Sequence, residues 1–135
     1  MELSIEKLIR DVLIGSPVAR TLGIEIAEIA PERVVLRLPF SMDNITVGTV
    51  VHGGVIATLI DTAAAAASAS GLVEIPKGAA TSNLTVTYLA PADNADLFAE
   101  ASIIRRGKRQ TVEEVTVRDD TGRLVAKGLV TSQLF

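Results

Sequence analysis

Reactive side chains are scarce in this chain, which has one histidine, His52, and no cysteine among 135 residues. His52 is followed by Gly53 and Gly54, then by an apolar run, Val55-Ile56-Ala57-Thr58-Leu59-Ile60, that ends in Asp61. Two glycines at a helix start leave backbone N–H groups unshielded, and the helix dipole favours negative charge there. Such a turn is a candidate oxyanion hole. Asp61 stands in a run otherwise built for burial. Its carboxylate either titrates upward through desolvation or is held by hydrogen bonds at a site with a purpose. The plain alternative is packing: an interface or core Asp satisfied by backbone and water, and glycines needed only for close approach. Asp61 lies eight residues after Gly53, which separates them by about 12 Å along one helix at about 1.5 Å per residue. Within one chain they cannot serve the same reacting carbon. If both act, the N–H and the carboxylate come from two chains, as antiparallel helices across a two-fold axis would supply.

The elements that must position these groups follow from periodicity and turn chemistry. The helix beginning at the glycine pair is apolar on nearly every side through Leu59, Ile60 and residues 63–67, with Gly71 to end it. A helix without a polar face must be enclosed. Ile5, Leu8, Ile9 and Val12 carry the i, i+3, i+4, i+7 spacing of an amphipathic helix, with Ser4 as N-cap and Gly15 as its stop. Pro17 opens a second short turn of helix that ends at Gly23. Residues 1–22 thus form a helical cover. β-branched residues over 24–29 and 33–40, broken at Ala30-Pro31, predict two short strands or a hairpin, and residues 41–51 read as a loop. Strand-like runs follow over 80–90, 95–105, 109–118 and 123–134. They are joined by Pro91-Ala92-Asp93-Asn94, Arg106-Gly107-Lys108 and Asp119-Asp120-Thr121-Gly122, all turn chemistry. Short turns between successive strands predict antiparallel hairpins. Thr85 and Thr87 are expected on a half-buried strand face, and Phe40, Tyr88, Phe98 and Phe135 in core or interface packing. The expected fold class is α+β: one domain over residues 1–135, with a mostly antiparallel, curved sheet wrapped around one long central helix.

Composition narrows the function. Thirteen Lys+Arg against 16 Asp+Glu give a net charge of −3, without the basic footprint of a nucleic-acid binder. The lack of cysteine removes zinc fingers, redox motifs and thiol nucleophiles. The first six residues are acidic and amphipathic, unlike a signal peptide. The most hydrophobic stretch, residues 55–70, is interrupted by Asp61 and falls short of the roughly 20 residues that a membrane span requires. The expectation is a cytoplasmic protein with neither membrane nor nucleic acid as partner. There is no Gly-x-Ser-x-Gly elbow, phosphate-binding Gly-x4-Gly-Lys loop, Gly-x-Gly-x-x-Gly turn or His-Glu-x-x-His helix. Arg105, Arg106, Lys108 and Arg109 are four cations within five positions. They read either as a rim that meets phosphates or as a solvated hairpin tip.

The His-Gly-Gly-x6-Asp segment at the start of an apolar helix resembles the signature of hotdog-fold acyl-CoA thioesterases of the PaaI type. The likeness extends over residues 23–132 and takes in further motifs. These are Leu22-Gly23, Thr81 with Thr85-Val86-Thr87-Tyr88-Leu89-Ala90-Pro91, Arg105-Arg106-Gly107-Lys108, and Asp119-Asp120-Thr121-Gly122-Arg123-Leu124-Val125-Ala126. The resemblance implies hydrolysis of an acyl- or aryl-CoA to free acid and CoA, in a homodimer or dimer of dimers with sites shared between chains. By it, Asp61 is nucleophile or general base, the Gly53 N–H polarises the thioester carbonyl, and His52 positions the thioester or supports the site. Thr81 orients the attacking water or the carboxylate, and Asn44 matches an Asn that precedes the glycine-rich turn. Gly54, Arg105, Arg106, Gly107 and Lys108 then contact the substrate, the last four at the CoA phosphates. One departure stands out: Asn44 is eight residues before His52 and Gly48 four, so the loop is longer than the family pattern. No metal or redox cofactor is implied, and coenzyme A enters only as part of the substrate.

Thioester hydrolysis needs a donor aimed at the developing oxyanion, and a nucleophile or a base that activates water. Gly53, Asp61 and Thr81 are of the right types. Three rival readings remain at this level. A hotdog dehydratase pairs its acid and histidine at other spacings. A non-catalytic module binding an acyl-CoA or acyl ligand would not require a carboxylate in an apolar helix. An assembly domain leaves both Asp61 and the basic turn unexplained.

Overall fold

Helix α3, Gly53–Ser70, lies along the inner face of a six-stranded sheet in the computed structural model, which describes all 135 residues. The strands are β1 (Glu25–Ala30), β2 (Arg33–Leu38), β3 (Ala79–Tyr88), β4 (Leu97–Arg106), β5 (Gln110–Asp119) and β6 (Leu124–Leu134). All pairings are antiparallel, in the order β1-β2-β4-β5-β6-β3. Ile56, Leu59, Ile60, Ala63 and Ala67 of α3 meet Val34, Leu36, Ala99, Val115, Val117 and Val130 in one core. Small residues let the helix sit close. A Cβ at Gly128 of β6 would stand 2.5 Å from Ile60 Cγ2, so the Ile60 side chain packs directly on the strand backbone there. The α+β plan read from the sequence is the observed one, but the enclosure of α3 is one-sided. Val55, Thr58, Asp61, Thr62 and Ala65 are only half-covered, because the sheet curls over one face of the helix and the N-terminal helices and β3 cover the other only in part.

The N-terminal cover differs from expectation in its caps. Helix α1, Leu3–Lys7, has Glu2 at its N-cap with no side-chain hydrogen bond, so Ser4 lies inside the helix. It widens directly into a π-helical turn, Leu8–Leu13. Gly15 follows that turn, where a Cβ would be 2.2 Å from the Asp11 carbonyl oxygen. The wider i→i+5 winding turns Leu8 and Leu13, five residues apart, onto the same cavity. Helix α2, Pro17–Leu22, is built as read: Ser16 accepts from the Ala19 amide, Pro17 takes the first turn and Gly23 closes in the left-handed region.

Two of the predicted hairpins, β4–β5 and β5–β6, are present, and β1 pairs with β2. β3 is the exception. It pairs with β6 at the far edge instead of with β4, so the Pro91-Ala92-Asp93-Asn94 stretch belongs to a crossover. That crossover is tied down by the Leu89 and Ala90 amides to the Val125 carbonyl, and by the Val51 amide to Ala92. With a neighbour on one side only, β3 is exposed at nine of its ten residues. Thr85 and Thr87 are therefore exposed, contrary to the expected half-buried face. Phe40 and Phe98 are half-buried, whereas Tyr88 and Phe135 are exposed. The pairing of β3 with β6 skips Ser82, next to Thr81, and bulges of this kind commonly re-aim a side chain beside a functional site.

Candidate active site

His52 is the N-cap of α3, with extended backbone at φ −60° and ψ 133°. Its Nδ1 accepts a hydrogen bond from the Gly54 amide at 2.8 Å. Gly54 must be glycine for this, because a Cβ there would lie 2.9 Å from the imidazole ring. An Nδ1 that accepts carries no proton, so the neutral ring holds its proton on Nε2, and the exposed Nε2–H is a donor. The amides of Val55 and Ile56 donate to the His52 carbonyl at 3.0 and 3.2 Å. Of the four amides that open the helix, only that of Gly53 has no acceptor within the chain. The glycine pair thus yields one free backbone donor, with the His52 Nε2–H nearby.

Tyr88 completes this end of the site. Its hydroxyl donates to the Gly53 carbonyl at 2.6 Å, and a Cβ on Gly53 would come within 3.4 Å of its ring. Sequence reasoning assigned Tyr88 to packing. The available signal was its being the only tyrosine, standing in the strand motif that carries the resemblance. Asn44 sits in a short 3₁₀ turn, Met42–Asn44, and is buried. Its carbonyl accepts from the His52 amide at 2.8 Å, so the longer loop still returns Asn44 to the glycine turn. Its side-chain amide points at the Leu22 carbonyl, 3.3 Å away.

Asp61, two turns further along α3, meets Thr81 of β3. The Thr81 hydroxyl donates to Asp61 Oδ1 at 2.6 Å, a charge-assisted bond of the stronger class. Oδ2 has no partner in the chain. α3 and β3 meet at two points, Tyr88 at Gly53 and Thr81 at Asp61. The chain therefore brings together two half-sites, His52–Gly53–Tyr88 and Asp61–Thr81, and holds them about 12 Å apart.

The basic turn divides. Arg106, expected at the CoA phosphates, turns inward: Nε donates to Glu32 at 2.8 Å and Nη2 to the Ser68 carbonyl at 2.8 Å. It closes the C-terminal end of α3, where a cation is favoured. Gly71 leaves room for the pair, since a Cβ there would be 1.8 Å from Glu32 Oε1. Gly107 is spent on the turn itself, its amide donating to Gln110 at 2.7 Å. Arg105 and Lys108 are exposed and unpaired. Strand register puts this turn at the same end of the sheet as Thr81, because Arg106 pairs with Thr111, Thr111 with Ser132 and Ser132 with Thr81. No three His, Asp or Glu side chains are gathered as a metal site requires.

Residues 48–126 match the family model described as Thioesterase superfamily. The chain belongs to the thioesterase superfamily. Human acyl-coenzyme A thioesterase 13 is 27% identical over 139 residues, which span 99% of this chain and 96% of that protein. A protein of Halobacterium salinarum is 39% identical over 100 residues, 71% of this chain and 66% of its own length. Among solved structures, a thioesterase family protein from Silicibacter pomeroyi superposes with a TM-score of 0.90 at 27% identity, covering 97% of this chain and 98% of that one. The PaaI protein of the E. coli phenylacetic acid degradation operon has the same fold, with a TM-score of 0.86 at 23% identity over 97% and 93% of the two chains. The sheet wrapped on α3 is thus the hotdog fold of the PaaI type, and the chain is a thioester hydrolase of this superfamily.

Proposed function

We propose that this thioesterase hydrolyses acyl-CoA to free acid and CoA, at sites that two copies of the chain build together. The observation that carries this reading is the Asp61–Thr81 hydrogen bond of 2.6 Å on the half-covered face of α3, two turns from the chain's own free Gly53 N–H. A second copy with its α3 antiparallel brings its Gly53 end to the first copy's Asp61. β3 supports such pairing. β1, the other edge, is short, bulged and carries Glu25 and Glu28, the usual protection of an edge. β3 has ten residues and neither charge nor proline, which leaves its outer edge open to another strand.

In this arrangement the thioester carbonyl accepts from Gly53 of the partner subunit, with His52 Nε2–H as the neighbouring donor. The Thr81 hydroxyl donates its one hydrogen bond to Asp61 Oδ1, so its lone pairs accept from a water whose other proton faces Asp61 Oδ2. The water oxygen attacks the carbonyl carbon as Asp61 takes the proton. The resulting oxyanion is held by the Gly53 N–H, the C–S bond breaks on collapse, and the CoA thiolate recovers the proton from Asp61. Asp61 then acts as general base. No metal or redox step is needed, and the exposed Arg105, Lys108 and Arg109 are the cations of the turn free to meet the CoA phosphates. The full-length match to an acyl-coenzyme A thioesterase supports CoA as the carrier.

Release of free CoA thiol across aryl, short, medium and long acyl-CoAs tests the activity. Turnover in the wild type should fall by about 10²–10⁴ in Asp61→Asn. Retained ligand binding with no turnover of any of these thioesters would leave a binding module instead. The shared site is tested by mixing Asp61→Asn chains with Gly53→Pro chains. Proline is tolerated at the first helical position and removes the free donor, its ring coming against Tyr88. Random pairing should restore about a quarter of wild-type activity, whereas confirmed mixing without recovery would exclude shared sites.

A further inference from the structure

A cavity of about 390 Å³ lies under the π-helical turn and is not used by the chemistry above. Asp61, Ala65, Ser68 and Ala69 share one face of α3, and the last three line the cavity together with Leu8, Leu13 and Thr81. It therefore starts beside the Asp61–Thr81 pair and runs down the helix. Ser132, which also lines it, pairs directly with Thr81, and Thr111 pairs directly with Ser132. These three hydroxyls form a row across β3, β6 and β5. Ser68 closes the row, with its Oγ 2.8 Å from Thr111 Oγ1. Beneath it lies Glu113, fully buried, which accepts from Thr111 at 2.7 Å and from Ser132 at 3.3 Å. Burial pushes the Glu113 carboxyl up, opposed by these two hydroxyls and by Arg106.

Each hydroxyl has one proton to give. Thr111 gives its proton to Glu113, so Ser68 must donate to Thr111, and Ser132 donates to Glu113. Where Glu113 is ionised, neither Ser68 nor Ser132 keeps a proton for the cavity and both can only accept there; Lys77, the charged side chain of the lining, is exposed. We propose that the cavity takes the acyl chain of a medium-length ω-hydroxyacyl-CoA, whose terminal hydroxyl donates to Ser68. This rests on the acyl-CoA reading above. Two independent measures give the length. Seven residues of helix from Asp61 to Ser68 span about 10 Å, and two strand spacings from Thr81 to Thr111 also span about 10 Å. At about 1.3 Å of advance per C–C bond, that distance fits an acyl chain of about eight carbons. The residues lining the cavity include no aromatic ring to stack on an aryl group, which favours an aliphatic chain.

The test compares kcat/KM of the intact protein for octanoyl-, ω-hydroxyoctanoyl-, ω-methoxyoctanoyl- and hydroxyphenylacetyl-CoA. The hydroxyl substrate should exceed its methyl ether, which has the oxygen but no donor, by about tenfold. It should also exceed the other two. Ser68→Ala should bring the hydroxyl-to-ether ratio to about one. In Glu113→Gln the amide spends a proton on Thr111 or Ser132, which turns one hydroxyl proton toward the cavity. The ether should then gain on the alcohol. If octanoyl-, ω-methoxyoctanoyl- or hydroxyphenylacetyl-CoA is used as well as the hydroxyl substrate, the proposal is overturned while the thioesterase reading stands. If no acyl-CoA is hydrolysed, both fall.

Discussion

Thr81→Val isolates the hydrogen bond on which the water-positioning geometry depends. The hydroxyl donates to Asp61 Oδ1 at 2.6 Å, and hydrogen bonds to a charged group contribute about 1.5–3 kcal/mol. Valine keeps the β-branch and nearly the volume, and removes both the proton that orients the carboxylate and the lone pairs that receive the water. These contacts matter most while the water is attacking, so the loss should appear in kcat, with KM held within about twofold. At about 1.4 kcal/mol per decade, kcat should fall about ten- to a hundred-fold. Thr81→Ser, which keeps the hydroxyl, should recover most of it. Thr81 is exposed on an edge strand and its bond to Asp61 is open to water, so the loss of stability should stay near the low end for one hydrogen bond, about 1 kcal/mol. The assay is thiol release under saturating and limiting substrate, with thermal unfolding measured in parallel. Wild-type kcat and KM in a folded Thr81→Val protein would refute the role given to the pair.

His52→Ala should cost about 1 kcal/mol through loss of the cap on Gly54 and should also lower activity. His52→Asn should restore the unfolding midpoint without restoring turnover, since it returns an acceptor but not the Nε2–H. Arg106→Met leaves Glu32 and the Ser68 carbonyl without their donor and should destabilise by about 1–3 kcal/mol. Arg105→Ala with Lys108→Ala should instead raise KM for acyl-CoA and leave the unfolding midpoint in place. Glu113 titrates above its unfolded value because it is buried. Between about pH 4.3 and that raised value the folded state holds more protons than the unfolded one, so stability falls as pH rises. The stabilising contribution is complete below the unfolded value and lost as pH climbs through the folded one. Denaturant unfolding from pH 4 upward should therefore show Glu113→Gln gaining on the wild type as pH rises, and parallel curves would contradict it.

Local chemistry was legible in the sequence and non-local placement was not. The strands and α3 are bounded by glycines, prolines and acidic turns that act on their own few residues, so their spans emerge within a residue or two. The position of β3 is different. Its partner, β6, is decided by which edge completes the core over α3, and no signal near residue 88 records that. The same divide runs through the site. His52-Gly53-Gly54 builds its geometry within three residues and could be read as a helix start with a free amide. Asp61 and Thr81 meet only through the packing of α3 on β3, and family resemblance, not spacing, linked them. Arg106 was misread because a cation in a turn looks solvated until the helix end it closes is known. Glu113 escaped notice because strand alternation alone does not tell a buried carboxylate from one facing solvent. The π turn stayed hidden because Ile5, Leu8, Ile9 and Val12 also suit an ordinary helix.

β3 has an implication for the life of the chain in a cell. A newly folded single copy displays ten uncharged residues of open strand, free to recruit any unsatisfied strand in its surroundings. If sites are shared between copies as proposed, the contact that removes this hazard would also be the one that switches on hydrolysis. A copy that has not found its mate would then be both inert and vulnerable to clearance, so active enzyme and well-behaved enzyme would be one population. Substitutions on the outer edge of β3 would be purged for loss of solubility as readily as for loss of turnover. Expression level would then become a control on specific activity, because scarcity of the chain would leave half-sites unmatched.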